Sequence, residues 1–191
     1  MTIRSLSLFG FMLIVLAACG PTEQEQEQQQ QREQQLENQQ STSNLPYNFR
    51  LEMENLLDHY FDLKDAITAA DTDAARDHSE RLAEATFDAP EDLLEPEDQG
   101  FWVGVARIIR TESENLVEED TVEEQQIYFE RISTAMIRMV DEFNPVQYTL
   151  YLMECDEANV GDNQWLSREE KILNPYQTNA EEGCGEIEER F

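Results

Sequence analysis

Cys155 and Cys184 lie near the end of a 191-residue chain, in the stretch ECDEANVGDNQWLSREEKILNPYQTNAEEGCGE. Two thiols can do two kinds of chemistry here. As a disulfide they would close a loop of about 30 residues and stabilise the fold by roughly 3–4 kcal/mol on chain-entropy grounds. The Cα atoms must then come within roughly 4.4–6.8 Å of each other. As thiolates they could instead hold Cu(I) or another soft metal, with help from a third or fourth ligand. The nearby Asp156, Glu157 and Glu186 offer hard oxygen donors, which suit Cu(I) poorly. The disulfide is the favoured reading and the metal pair is the alternative.

No other residues gather into a catalytic pattern. The two histidines, His59 and His78, lie on separate predicted helices, and His78 falls in register with Ala75 and Leu82 as a packing residue. Met136 and Met139 occupy a core stripe, where methionine fills space. The segment DEANVGDNQWLS has a glycine six residues into an acidic start, as a calcium loop does. Its third and fifth positions are Ala158 and Val160, and its twelfth is Ser167, so the oxygen ligands are missing. Without a nucleophile–base pair or a phosphate-cradling loop, the sequence does not read as an enzyme, and no cofactor is expected.

The elements that must position the cysteines begin with an export signal. Arg4, an apolar run from Leu6 to Leu16 and the box Leu16-Ala17-Ala18-Cys19 read as a lipoprotein signal peptide over residues 1–18. The run is shorter than the ~20 residues of a membrane span. Cys19 would carry acyl chains such as palmitate and anchor the mature protein to a lipid bilayer. Gly20 in place of Asp points, in a Gram-negative cell, to the outer membrane facing the periplasm. An exported location also favours disulfides. Residues 19–44, rich in Gln and Glu with only Leu36 as a large apolar residue, read as a disordered tether spanning about 25–30 Å.

Residues 45–191 have the length of one domain. The whole chain carries 42 acidic and 13 basic residues, a formal charge of −29, and its only lysines are Lys64 and Lys171. Such a surface repels nucleic-acid backbones and anionic headgroups. The dispersed carboxylates resemble the composition of proteins from salt-loving organisms, where salt screens self-repulsion.

Within the domain, Met53, Leu56, Tyr60, Leu63 and Ile67 give a helical stripe over 46–70. Asp71, Thr72 and Asp73 offer N-caps for a second helix reaching about Phe87, with Ala75, Leu82 and Ala85 inward. Pro90 and Pro96 bracket a loop. A third helix runs from near Asp98 to Val117 with Phe101, Val105, Ile108, Ile109 and Leu116 inward. Thr121 and Glu124 form a capping box for a fourth, which carries Phe129, Ile132, Met136, Met139, Val140 and Phe143 and ends at Pro145. VQYTLYLM then alternates like a strand, and CGEIEERF offers a partner. The expected fold is mostly α: an antiparallel four-helix bundle with a small C-terminal β-hairpin-like cap. Asn174-Pro175-Tyr176 is the expected reversing turn, Trp165 the plug beneath it, and Tyr148, Tyr151, Trp165 and Tyr176 an aromatic core under the tail.

YFDLKDAI at Tyr60–Ile67, QQIYFERIS at Gln125–Ser133, and the spaced set Cys155, Trp165-Leu166-Ser167, Asn174-Pro175-Tyr176 and Cys184-Gly185-Glu186 resemble domain-of-unknown-function family 3347. The resemblance implies a periplasmic helical domain. Such domains stand alone as lipoproteins or are fused to adaptor subunits of heavy-metal efflux pumps of the copper and silver type. It therefore implies partnership with a metal-efflux complex. The family reads Cys-Pro-Met-Ala at the first cysteine and places a Met before the second. Here CDEA and NAEEGCG stand instead, so both thioether ligands are absent.

Overall fold

The apolar stripe Met53, Leu56, Tyr60, Leu63 and Ile67 is fully buried along α1 (Tyr47–Thr68). A computed structural model describes residues 45–155, 163–177 and 184–191, all within the compact unit Gln39–Phe191. α1 ends two residues earlier than its periodicity suggests. Ala70 turns left-handed at φ 55°, and the Asp71 and Ala70 amides close back on the Ala66 and Ile67 carbonyls, each at 3.0 Å. This is the Schellman arrangement, usually made by glycine. Asp71 then caps α2 (Thr72–Ala85), its carboxylate accepting from the Ala74 amide at 3.1 Å. α2 stops short of Phe87, because Thr86 Oγ1 donates to the Ala83 carbonyl in the last turn, and Phe87 is left largely exposed.

A 3₁₀ turn at Glu91–Leu93 leads to α3 (Pro96–Val117), with proline in its first turn. Pro96 has no N–H to waste at that position, and Glu97 and Asp98 favour the positive helix end, so α3 starts before Asp98. α4 (Val122–Phe143) is capped as expected by Thr121, whose hydroxyl accepts from the Glu124 amide and donates to the Glu124 carboxylate. Asn144, left-handed at φ 39°, closes α4 ahead of Pro145. Consecutive helices pack on one another and α4 returns to α1, giving the expected four-helix bundle. At one end Phe49, Phe101, Trp102 and Phe143 meet edge-on at centroid distances of 5.4–5.5 Å. Trp102, not its neighbour Phe101, is the inward residue of α3, and Ile108 is only half-buried.

The cap is larger than a hairpin. β1 (Tyr151–Glu154) is the centre of a three-stranded antiparallel sheet in the order β2-β1-β3, with β2 at Gln164–Ser167 and β3 at Glu186–Arg190. The strand starts at Tyr151 rather than Val146, although the Leu150 and Phe191 main chains also pair. β3 matches the expected partner; β2 was not expected. β3 carries an extra residue between Ile187 and Glu189, a bulge opposite Leu152 and Met153. Its outer row of glutamates discourages pairing with a further strand. β2 is instead buried, and it rests on α4. The chain from β2 to β3 therefore crosses from one sheet edge to the other.

Candidate functional site

The two cysteines sit where β1 ends and β3 is about to begin, and they are joined. Cys155 and Cys184 form a disulfide with a Cα–Cα distance of 5.5 Å. The Cys155 amide also donates to the Asn163 carbonyl at 3.2 Å, so this residue is tied to both flanking strands. Cys155 is 1% exposed. With both sulfurs bonded, neither is a thiolate. Among the described residues no group of three or more His, Cys, Asp or Glu side chains could hold a metal ion. Asp156 and Glu157 lie outside the described residues, and Glu186 pairs across the sheet with Glu154. His59 and His78 are half-buried; His78 Nδ1 lies 3.9 Å from Asp62 Oδ2. Met136 and Met139 are core residues.

The other residues singled out around the cysteines converge on the bond. Asn174 Oδ1 accepts from the Tyr176 amide at 2.8 Å, an Asx turn around Pro175. Its Nδ2 donates to the Cys184 carbonyl at 2.8 Å, so one side chain shapes the turn and ties it to the disulfide. The Cys184 amide donates to Gln177 Oε1 at 2.9 Å. Trp165 is fully buried and meets Tyr176 edge-on at 6.1 Å. The Tyr176 hydroxyl donates to the Gln164 carbonyl at 2.9 Å. Gly185 is dictated by space. A Cβ there would lie 2.7 Å from Ile172 Cγ2, closer than carbon atoms approach, and 3.0 Å from Trp165 Cη2, a tight contact that would make the indole give. The aromatic core under the tail is narrower than expected: Trp165 and Tyr176 are in it, Tyr151 is half-buried, and Tyr148 is 43% exposed.

Sequence reasoning missed what docks this cap on the bundle. Tyr60 of α1 stacks on Phe129 of α4 at 5.5 Å, and Phe129 in turn meets Tyr176 at 5.9 Å. The Tyr60 hydroxyl lies 2.9 Å from Ser133 Oγ and accepts from the Leu166 amide of β2 at 3.1 Å. Burial pushes the Tyr60 phenol well above its usual range, against the smaller opposing effect of these hydrogen bonds. Gln126 Nε2 donates to the Pro175 carbonyl at 2.7 Å. A signal was present: Gln126 and Ser133 interrupt an otherwise apolar stripe with Phe129 and Met136. Buried polar groups at core spacing need partners, and the cap supplies them.

The fold and site define a class: a four-helix domain closed by a disulfide-bonded, three-stranded cap. Residues 56–148 match the model of the family described as Protein of unknown function (DUF3347), the family that the sequence motifs resemble. The motifs at Tyr60–Ile67 and Gln125–Ser133 lie inside the matched segment, whereas the cysteine-containing set lies beyond it. No curated protein and no solved structure matches the chain. Cys19 and the tether lie outside the described residues. Among the described residues no helix is long and apolar enough to cross a membrane.

Proposed function

We propose that this chain is an exported accessory lipoprotein, held to a bilayer by acylated Cys19 and facing the periplasm, that acts by binding rather than by catalysis. The Cys155–Cys184 bond carries this reading. A structural disulfide belongs to an oxidising compartment, which agrees with the signal box at Leu16–Cys19. Partnership with a heavy-metal efflux complex rests on the family resemblance. For the cysteine pair itself, the bonded sulfurs and the missing thioethers favour a structural and interaction role over Cu(I) binding.

Two measurements test the proposal. Fatty-acid labelling in cells marks the wild type and misses Cys19→Ser; equal labelling of both overturns the anchor. Thiol-reactive label enters the denatured protein only after reductant is added. Two titratable thiols in protein isolated without oxidation, together with stoichiometric Cu(I) binding, would move the pair to the metal reading.

A further inference from the structure

Lysine is scarce in this chain, yet both copies meet in one place. Lys64 of α1 and Lys171, from the loop after β2, line the same cleft of about 190 Å³ with Phe61, Asp65, Ser167, Arg168 and Glu169. A water takes up about 30 Å³ in the liquid, so the cleft has room for a small anion. On a chain with a formal charge of −29, the three cations of the lining balance its two carboxylates and the Asp58 carboxylate paired with Arg168, so the acidic excess is cancelled locally.

The three cations are held differently. A lysine near a surface ordinarily extends its ammonium into water. Lys64 does not: its side chain is 7% exposed, and its ammonium meets the neighbouring Asp65 carboxylate at 2.8 Å. An ammonium has three donors, so the Asp65 contact does not exhaust it. Arg168 is fixed at the rim, its guanidinium 4.4 Å from the Phe61 ring centroid and 2.9 Å from Asp58 Oδ1. Lys171 is exposed, and no described carboxylate pairs with it. The loop that presents it is shaped by Ser167, whose hydroxyl donates to the Glu169 carbonyl and accepts from the Glu169 amide. The result is one buried cation, one stacked cation and one exposed cation around a small concavity.

We infer that this cleft between α1 and the β2 loop binds a small oxyanion, a phosphate or a low-molecular-weight carboxylate, with Lys64 at its floor and Lys171 closing over it. The inference goes beyond the anchoring and partner-binding proposed above and does not depend on it. The ligand's charge is met by direct ammonium donors, which are stronger than neutral ones. Glu169 and Asp65 limit the site to ligands of small charge and small size.

The test uses the purified full chain, with inorganic phosphate and acetate as separate probes and chloride adjusted to hold ionic strength constant. Calorimetric titration should show saturable binding of at least one of them. Phosphate binding more tightly assigns the tetrahedral head group; acetate binding more tightly assigns the planar one. Lys171→Met, on an exposed loop and outside the core, should weaken that binding by roughly tenfold or more. Lys64→Met should do the same, with an unchanged circular dichroism spectrum confirming that it folds. Absence of saturable binding by both probes, or binding unchanged in both lysine variants, overturns the inference.

Discussion

The bundle and the cap are held together by different means. In the bundle, cohesion is spread over many interchangeable apolar contacts along four helices, and no single one decides the fold. In the cap, short strands of four or five residues cannot bury much, and cohesion is concentrated in a few irreplaceable positions: the Cys155–Cys184 bond, Asn174, Trp165 and Gly185. The difference teaches where substitutions should hurt. Loss of one contact in the bundle can be absorbed by its neighbours, whereas loss of one cap residue removes a constraint that nothing else supplies.

The largest expected effect follows from cutting the disulfide. Cys184→Ser should lower stability by about 3–4 kcal/mol, measured by denaturant unfolding. Tyr60, Gln126 and Phe129 tie the two regions together, so helix and tryptophan signals should still move as one transition. Separate transitions would break the comparison in its present form and make the cap an independent unit. Gly185→Ala should cost about 1–3 kcal/mol through overpacking against Ile172 and Trp165. A loss under the error of the melt would show that the cap can give way as the bundle does.

Tyr60→Phe probes the seam between them and should cost about 1–2 kcal/mol, because the Leu166 amide is left without its acceptor in a buried site. The same variant has a pH signature. The folded phenol is raised above the ordinary value of 10.0, so stability should be unaffected by this group below that value. It should decline as the pH climbs past it, because the unfolded chain loses the proton first. Tyr60→Phe should make that alkaline decline shallower; an identical slope would show that burial at the seam is not what shifts the phenol. The smallest effect is a gain. Ala70 is exposed and left-handed, so Ala70→Gly should raise stability by roughly 0.5–1 kcal/mol, read as a higher melting temperature.

The two regions also differed in how far their sequences could be read. The helices announced themselves because a period of 3.6 repeats over 22 residues in α1, α3 and α4, and caps at Asp71 and Thr121 are local chemistry. The choice of Trp102 over Phe101 was not legible, because adjacent helical residues point only about 100° apart and packing against Phe49 decides between them. β2 was hidden for another reason. Four residues, Gln164–Ser167, are too few to display alternation, and their strand state comes from pairing with β1 and resting on α4. Of the candidate site, the residue set was legible and its purpose only in part. Asn174 and Gly185 stood out, but that one orders the disulfide by a side-chain amide and the other makes room for Trp165 depends on distant partners. The meeting of Lys64 with Lys171 was equally invisible, since no local pattern links α1 to the β2 loop.

The two halves of the bridge differ in burial: Cys155 is 1% exposed, whereas Cys184 is half-buried. Thiol–disulfide exchange needs an attacking thiolate to reach a sulfur along an open approach. A soluble reductant therefore has its approach on the Cys184 side, with Cys155 as the leaving thiol held inside the cap. Partial reduction should accordingly leave the mixed disulfide on Cys184 and the free thiol on Cys155.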